Sequence, residues 1–525
     1  MRPAPLAHPL PRLSPALVVD FRAAAADLIK TLGISGIGGG KVSDRTHLGQ
    51  DSIPLVVDLD GTLTRSDLLV ESVLRLLALD PLCLIRLPLW LREGKAAFKA
   101  HMADHVVLDL HMLPMNEQLV EFIRAERRGG RKIYLASASD RRVVQALADH
   151  VGLFDGVFAS DGITNLSGAE KARVLCDQFG DKGFDYVGNS RVDLDVWAKA
   201  RRAILVNVPG AIHGEAVKVC ADIHELSAPQ SRLESWRSHL RAMRAHQWLK
   251  NLLVFLPALA GHSLDGATMG AAALAFLAFC LCASSVYVLN DLMDLPSDRA
   301  HPTKRARPFA SGRLPLVNGV VLVPLLLLAA GLVSLALPMA FAASLAAYYA
   351  ITLLYTFVLK RQIVIDVFTL AGLYTMRVIA GGAATGIAPS QWLLAFSMFL
   401  FLSLALIKRY SELVERQRSR KSKLAGRGYV TDDTPIIGAL AGASGFVSVL
   451  VLALYINSPD VLRLYPHPHV LWGVGVLLLY WVSRVLMLAH RGEVHDDPLV
   501  FAVTDRMSLL TVALMGLAVV AGAMP

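Results

Sequence analysis

The chain has 525 residues, 54% hydrophobic and 18% charged, and its mean hydropathy of +0.48 excludes a soluble protein of this size. The formal charge of +9 comes without a basic stripe interleaved with aromatics, which speaks against a nucleic-acid partner and for loops that face anionic lipid. Five cysteines (Cys83, Cys176, Cys220, Cys280 and Cys282) form no CxxC pair and no metal-ligand spacing, so a disulfide framework is excluded and a reducing compartment fits.

The apolar excess lies beyond residue 240 or so; what precedes it reads as globular. The N-terminal MRPAPLAHPLPRLSPALVVD has prolines where a signal peptide needs an unbroken apolar core, so no cleaved signal is expected. Residues 1–50 read as a flexible segment, and GIGGGK within them is too short for a phosphate loop.

Ile53 to Thr64, IPLVVDLDGTLT, reads as a buried parallel strand that delivers Asp58 and Asp60 to its end, where open α/β sheets hold ligands. Two carboxylates at i and i+2 can divide labour, one attacking phosphorus and one handling the proton. The competing reading, an Asp-Gly hairpin turn, fails because a helical pattern follows instead of a second strand. The DxDGT string resembles the haloacid dehalogenase (HAD) superfamily of phosphatases over residues 53–225. That resemblance implies a phosphate-binding hydroxyl at Ser137, with Ser139 beside it, at the end of KIYLAS, and a phosphate-pairing Lys171 in GAEKARVL. It also implies a Mg2+ site of Asp58, Asp60, Asn189 and Asp193 in FDYVGNSRVDLD; Asn189 stands where the family has an aspartate and brings an oxygen without charge. Asp67 to Arg128, mostly helical and rich in leucine, reads as a cap over the site, apolar enough to touch lipid.

Residues 227–248 are basic, with Leu233, Trp236, Leu240 and Met243 at helical spacing, the pattern of an amphipathic linker lying in a membrane interface. From there, nine apolar segments are expected to cross a bilayer: about 249–261, 267–289, 316–337, 339–358, 364–386, 391–408, 434–457, 470–490 and 505–523. Positive charge concentrates in the loops after the second, fourth, sixth and eighth. The positive-inside rule then puts those loops and the N-terminal domain in the cytoplasm of an inner-membrane protein, with the C-terminus outside.

The loop after the second segment, NDLMDLPSDRAHPTKRARPFASG, brings Asp291, Asp294 and Asp298 to a membrane mouth, with Arg299, Lys304, Arg305 and Arg307 just behind. If the helix continues for one turn, Asp291 and Asp294 share a face, while Pro296 is expected to break it and leave Asp298 on a loop. Carboxylates so close repel one another unless a divalent cation, usually Mg2+ bridging to phosphates, holds them. The NDxxDxxxD…RxxHPxKxxRPxxxG pattern resembles the first Asp-rich motif of the UbiA superfamily of intramembrane prenyltransferases. QWLKN, with Lys250, also looks like the opening of members that use a phosphoribosyl donor. In the fifth segment Asp366 and Arg377, about three helical turns apart, are costly in lipid and so read as functional. A second aspartate beside Asp366 is missing, which favours the branch resembling decaprenyl-phosphate phosphoribosyltransferases, whose Lys360, Gln362 and Lys408-Arg409-Tyr410 stretches recur here. His495, Asp496 and Asp497 are left unassigned beyond a phosphate or metal contact.

The fold expected is therefore an α/β HAD-like, Rossmannoid domain with a helical cap (51–226), the linker (227–248) and an all-α UbiA-like membrane domain (249–525). The resemblances imply a bifunctional, Mg2+-dependent enzyme that moves phosphoribose from 5-phosphoribosyl 1-diphosphate to polyprenyl phosphate, then dephosphorylates the product. Asp291, Asp294 and Asp298 would act on the donor, with Asn290, Arg299, Lys304, Arg305, Arg307, Lys250, Lys408, Asp366 and Arg377 around the substrates. A prenyltransferase passing an isoprenoid from its diphosphate to another acceptor is the alternative, and a transporter with a regulatory domain is a third reading, disfavoured because no inverted repeat is seen.

Overall fold

The computed structural model describes residues 53–418, 427–494 and 497–524. The N-terminal 50 residues, His495 and Asp496 lie outside this range.

Strand β1 (Leu55–Asp58) sits inside a six-stranded parallel sheet with β2 (Ile133–Asp140), β3 (Gly156–Ser160), β4 (Asp185–Gly188), β5 (Arg202–Val206) and β6 (Asp222–Ser227), in the order β3-β2-β1-β4-β5-β6. Alternation along β1 explains its burial on both faces. Leu55 and Val57 join one apolar cluster with Ile133, Leu135 and Ile204; Val56 points into the other, with Tyr186, Trp197 and Leu205. Strand order reverses direction around β1 and β4, so the ends of β1, β2 and β4 border one crevice. Helix α1 (Leu68–Leu79) leaves that crevice and leads into the cap, whose helices Leu87–Arg92 and Lys95–His105 precede β2. On the far side, α2 (Ala169–Phe179) starts beside the crevice with Lys171 in its first turn.

Among the described residues, eight helices are long and apolar enough to cross a membrane: α3 (Gly266–Met293), α4 (Leu316–Ser334), α5 (Met339–Phe357), α6 (Ile365–Thr385), α7 (Gln391–Arg418), α8 (Thr434–Ile456), α9 (Trp472–His490) and α10 (Arg506–Ala523). The ninth expected span, 249–261, takes a different form. Ala245–Phe255 is an 11-residue 3-10 helix followed by a 5-residue α-helix, Leu256–Ala260. It runs antiparallel to α3: Trp248 donates to Ser284 Oγ (2.9 Å), Asn251 donates to Cys280 Sγ (3.3 Å), and Phe255 meets Phe276 at 5.9 Å. Because a 3-10 helix rises about 2.0 Å per residue against 1.5 Å for an α-helix, this short segment still covers about 30 Å. Room for its backbone comes from α6, where a Cβ on Gly381 would lie 2.1 Å from the Val254 carbonyl oxygen.

The sheet domain is packed directly on the bundle. Leu74 of α1 is buried with Val288 and Leu292 of α3, Leu316 of α4 and Phe309, a burial worth about 2 kcal/mol for that side chain alone. In the same interface Arg299 ion-pairs with Glu71, both buried. The linker helix Arg232–Ala242 turns Ala242 inward and leaves Leu233, Trp236 and Leu240 exposed, as an interfacial helix requires.

Gly381→Ala is expected to lower the melting temperature of the detergent-solubilised protein, with an overpacking cost of about 1–3 kcal/mol. Gly372→Ala in the same helix, where nothing lies within 4 Å of an added Cβ, should be neutral or stabilising. Equal melting temperatures for the two variants would contradict the close approach at Val254.

Candidate functional site

Two constellations lie in the two domains that meet at the Glu71–Arg299 interface. The first forms where β1 ends. Gly61 (φ +76°) turns the chain back so that Thr62 Oγ1 donates to Asp58 Oδ2 (2.9 Å), and a Cβ on Gly61 would collide with the Asn189 amide at 2.2 Å. Lys171 Nζ donates to Asp58 Oδ1 at 2.7 Å and to Tyr186 Oη at 2.9 Å. Asp60 accepts from Ser137 Oγ (3.0 Å), Ser139 Oγ (2.9 Å) and the Leu68 backbone N–H (2.9 Å). Thus Asp58, Asp60, Ser137 and Lys171, up to 113 residues apart in sequence, are drawn together.

Electrostatics there are unbalanced. Burial, with Asp193 and Asp60 adding to it against the pull of Lys171, pushes the Asp58 carboxyl up to about 7. Burial and Asp67 raise Asp60 as well. Burial works against the charge on Lys171, but Asp58 and Asp193 more than offset it and raise its pKa. Asp58, Asp60 and Asp193 gathered around Lys171 form an arrangement that a divalent cation would relieve, and Asn189, free of side-chain hydrogen bonds among the described residues, lines the same cleft with a neutral oxygen to offer. Asp193, expected among the metal ligands, holds the loop after β4: its Oδ2 accepts from Asn189 N, Ser190 N and Ser190 Oγ (2.9–3.0 Å) and its Oδ1 from Tyr186 Oη (2.9 Å).

The second constellation is the loop between α3 and α4. α3 ends at Met293 with Asp294 as its cap, and Pro296 stops it as expected. Pro296 then opens a one-turn helix, Leu295–Arg299, so Asp298 is helical and buried instead of lying on a loop. Arg307 Nη1 reaches both Asp298 Oδ2 (2.6 Å) and Asp291 Oδ1 (3.2 Å), and Arg244 also pairs with Asp291. Burial raises the pKa of Asp298 despite Arg307. Asp294, the cap residue one turn on from Asp291, pairs with Lys360 Nζ, 3.2 Å away. Among the described residues no three acidic, cysteine or histidine side chains converge as a metal site. One orphan does point to a missing ligand: Asn290 Oδ1 is buried without a hydrogen-bond partner on the same turn as Asp291. Asn290, Asp291 and Asp298 therefore fit a hard cation if the half-exposed arginines turn away.

The remaining expected residues divide. Lys304 and Arg305 are exposed on this loop. Arg299 is not available to phosphate, since its guanidinium is buried against Glu71 and the Ala310 carbonyl. Lys250 and Lys408 converge on Asp497 (2.7 and 3.1 Å), a partnership that sequence spacing of 89 to 247 residues could not reveal. Although burial opposes it, these two lysines hold the Asp497 carboxyl well below the usual carboxylate range. Asp366 and Arg377 do not form one functional face. Asp366, fully buried, binds Arg409 (2.6 Å) and Tyr429 Oη (2.5 Å); Arg377 bonds Asn251 Oδ1, Tyr348 Oη and the Leu373 carbonyl. Glu412 completes the first network by bridging Arg409 and Arg427. Arg244, Glu71 and Tyr429 carry no local signal that would have marked them.

Residues 252–510 match the UbiA prenyltransferase family. Over 482 residues the chain is 37% identical to an uncharacterized protein, y4nM, of Sinorhizobium fredii, a likeness covering 89% of this chain and 90% of that one. It is 38% identical over 281 residues to the nodulation protein NoeC of Azorhizobium caulinodans, covering 54% of this chain and 91% of that one. A decaprenyl-phosphate phosphoribosyltransferase of Mycolicibacterium smegmatis is 42% identical over 185 residues, or 34% of this chain and 58% of that protein. Among solved structures, a UbiA homolog from Archaeoglobus fulgidus bound to GPP and Mg2+ superposes with a TM-score of 0.42 at 15% identity, covering 54% of this chain and 99% of that one.

Replacing Arg409 by Met would leave buried Asp366 with only the Tyr429 hydroxyl and Arg427 at 3.7 Å, and should destabilise the protein by about 3 kcal/mol, read as lost monodisperse yield and a lower melting temperature. Asp366→Leu with Arg409→Met should recover most of that loss, because Glu412 keeps Arg427. A double variant no better than the single one would contradict the pairing.

Proposed function

We propose, for a chain whose residues 252–510 match the UbiA prenyltransferase family, a two-step activity on one lipid: transfer of phosphoribose from 5-phosphoribosyl 1-diphosphate to a polyprenyl phosphate, then removal of the 5-phosphate by the sheet domain. The observation that carries this reading is the packing of the Asp58–Asp60–Lys171 crevice and the Asp-rich loop against one interface, joined through Glu71 and Arg299. The likeness to phosphoribosyltransferases over a third of the chain supports the donor class.

In the bundle, Asn290, Asp291 and Asp298 would hold Mg2+, whose charge would stabilise the diphosphate as it leaves the sugar. Arg244 and Arg307 pair with those aspartates and would add donors to the same anion. Lys250 and Lys408 oppose Asp497 with two positive charges against one, a surplus that suits the acceptor phosphate. Positioning and charge supply the catalysis; no protein nucleophile is required.

In the sheet domain Asp58 would attack the terminal phosphorus, forming an aspartyl phosphate while the bond from phosphorus to the ribose oxygen breaks. Asp60, kept protonated more readily by burial, would give its proton to that departing oxygen. Lys171 and Ser137 would balance the transferred phosphoryl group, and water would then release it from Asp58. Mg2+ near Asp58 and Asn189 would share in that neutralisation. This reading sets both sites at the cytoplasmic face of an inner membrane.

Membranes carrying the wild type, Asp58→Asn or Asp291→Asn, supplied with labelled 5-phosphoribosyl 1-diphosphate and polyprenyl phosphate, should separate the steps by mass spectrometry. Asp58→Asn should accumulate a lipid-linked sugar heavier by one phosphate, and Asp291→Asn should lose labelled lipid by at least about a hundredfold. Labelled lipid absent from the wild type, with an isoprenoid transferred instead, would favour the prenyl-transfer alternative.

A further inference from the structure

The crevice holding Asp58 and Asp60 is not closed by the sheet domain alone. It widens into a cleft of about 870 Å³, one wall of which is the turn before α4 and its first residues, Gly312 to Asn318. Gly312 (φ +68°) comes so close to the sheet domain that a Cβ there would sit 2.5 Å from Arg65 Cβ and 3.2 Å from the Arg65 carbonyl oxygen. Arg65, four residues after Gly61, and Arg313, next to Gly312 in the bundle, therefore both stand at this seam, and both line the cleft. Neither guanidinium has a hydrogen-bond or ion-pair partner among the described residues. Elsewhere in the interface Arg244, Arg299 and Arg307 are each committed to a carboxylate. Beyond the two arginines the wall becomes apolar, with Leu316 and Val317 at the head of a helix that runs into the bundle.

We propose that Arg65 and Arg313 form a second anion subsite, one that grips the phosphodiester of a membrane-borne sugar while its terminal phosphomonoester sits at Asp58. The proposal rests on the phosphatase reading and names its substrate class: a lipid-linked sugar with two phosphates, one cleaved and one kept. Planar guanidinium forks match the two non-bridging oxygens of a diester, and two of them supply the charge that a soluble sugar monophosphate would leave unused. The apolar wall gives the lipid chain a path toward the bilayer.

The full-length protein in nanodiscs would be assayed for phosphate release from a synthetic farnesyl-phosphoryl-ribose 5-phosphate and from p-nitrophenyl phosphate. Arg65→Gln and Arg313→Gln are each expected to raise KM for the diester-bearing lipid about tenfold with kcat retained, so that the ratio of its specificity constant to that of p-nitrophenyl phosphate falls. Lysine at either position should restore part of the ratio. A ratio equal to that of the wild type in both glutamine variants overturns the subsite. If the wild type releases phosphate from neither compound, the phosphatase reading itself fails.

A separate surface carries a second inference. Where α1 ends, Leu79, Leu82, Leu84, Ile85, Leu89 and Leu91 are 56–74% exposed within 13 residues, while Cys83, Phe98 and Met102 behind them are buried, so the segment is folded and yet faces outward. Isolated exposed leucines are ordinary; six together are not. Arg86, Arg92 and Lys95 alternate with them. The strip continues the interface of α1 with the bundle, where Leu77 and Ala78 pack in one cluster with Leu289 of α3 and Leu322 of α4. We infer that this cap strip beds into the headgroup boundary of an anionic bilayer. A bimane label on Leu84→Cys in nanodiscs should be quenched by lipids brominated near the carbonyl, whereas the same label on Ile163→Cys, 91% exposed on the sheet domain, should not. Equal quenching at both sites, or protection of Leu84→Cys only where two copies cross-link, overturns the bilayer assignment.

Discussion

Much of this architecture depends on the buried ion pair between Glu71 and Arg299. Taking both charges out of water is costly, and the cost is tolerated only because each has further partners: Ser66 Oγ donates to Glu71 at 2.6 Å, and Arg299 Nε donates to the Ala310 carbonyl. Ser66 also accepts the Gly61 N–H on its backbone oxygen, and Arg299 follows Asp298 directly. One interaction thus spans from the turn that shapes the Asp58 crevice to the loop that holds the Asp-rich cluster. The apolar contacts of Leu74 with α3 and α4 surround it and exclude water. Under the proposed two-step reading, sites held this way would meet an intermediate at high local concentration, of mM order for short separations.

Charge balance distinguishes structural from ligand-binding clusters in the rest of the molecule. Asp366, Glu412, Arg409 and Arg427 cancel one another, and Arg409 and Asp366 are sealed from solvent, so that network stiffens the junction of α6 and α7. By contrast, the Asp497 cluster sets two lysines against one carboxylate, an excess of positive charge suited to an anionic partner. The Asp-rich loop lies between these cases. Its aspartates are neutralised, but by arginines whose side chains remain 21–28% exposed and can turn outward, while Asn290 keeps an unpaired oxygen inside.

Residue order alone determined a good deal. Apolar run lengths marked the eight spanning helices because lipid demands about 20 apolar residues per α-helical crossing, and the LVVD run leading to Asp58 marked a central parallel strand because both its faces are buried. The motif strings carried Asp58, Asp60, Ser137, Lys171, Asn290 and Asp291, since each pairs a required side chain with a local backbone geometry that a few neighbours specify.

Tertiary structure decided everything that depends on which charge finds which. Asp294 turning to Lys360, Asp366 to Arg409, Lys250 and Lys408 to Asp497, and Arg299 to Glu71 all join residues 43 to 247 positions apart, and a buried charge takes the nearest adequate partner whatever its place in the chain. The apolar run at 249–261 was legible, but the 3-10 form of Ala245–Phe255 was not: its Val254 backbone lies against Gly381, a packing condition set by a helix more than a hundred residues later. Local pattern sets what a segment is able to form; long-range contact sets which partner satisfies it.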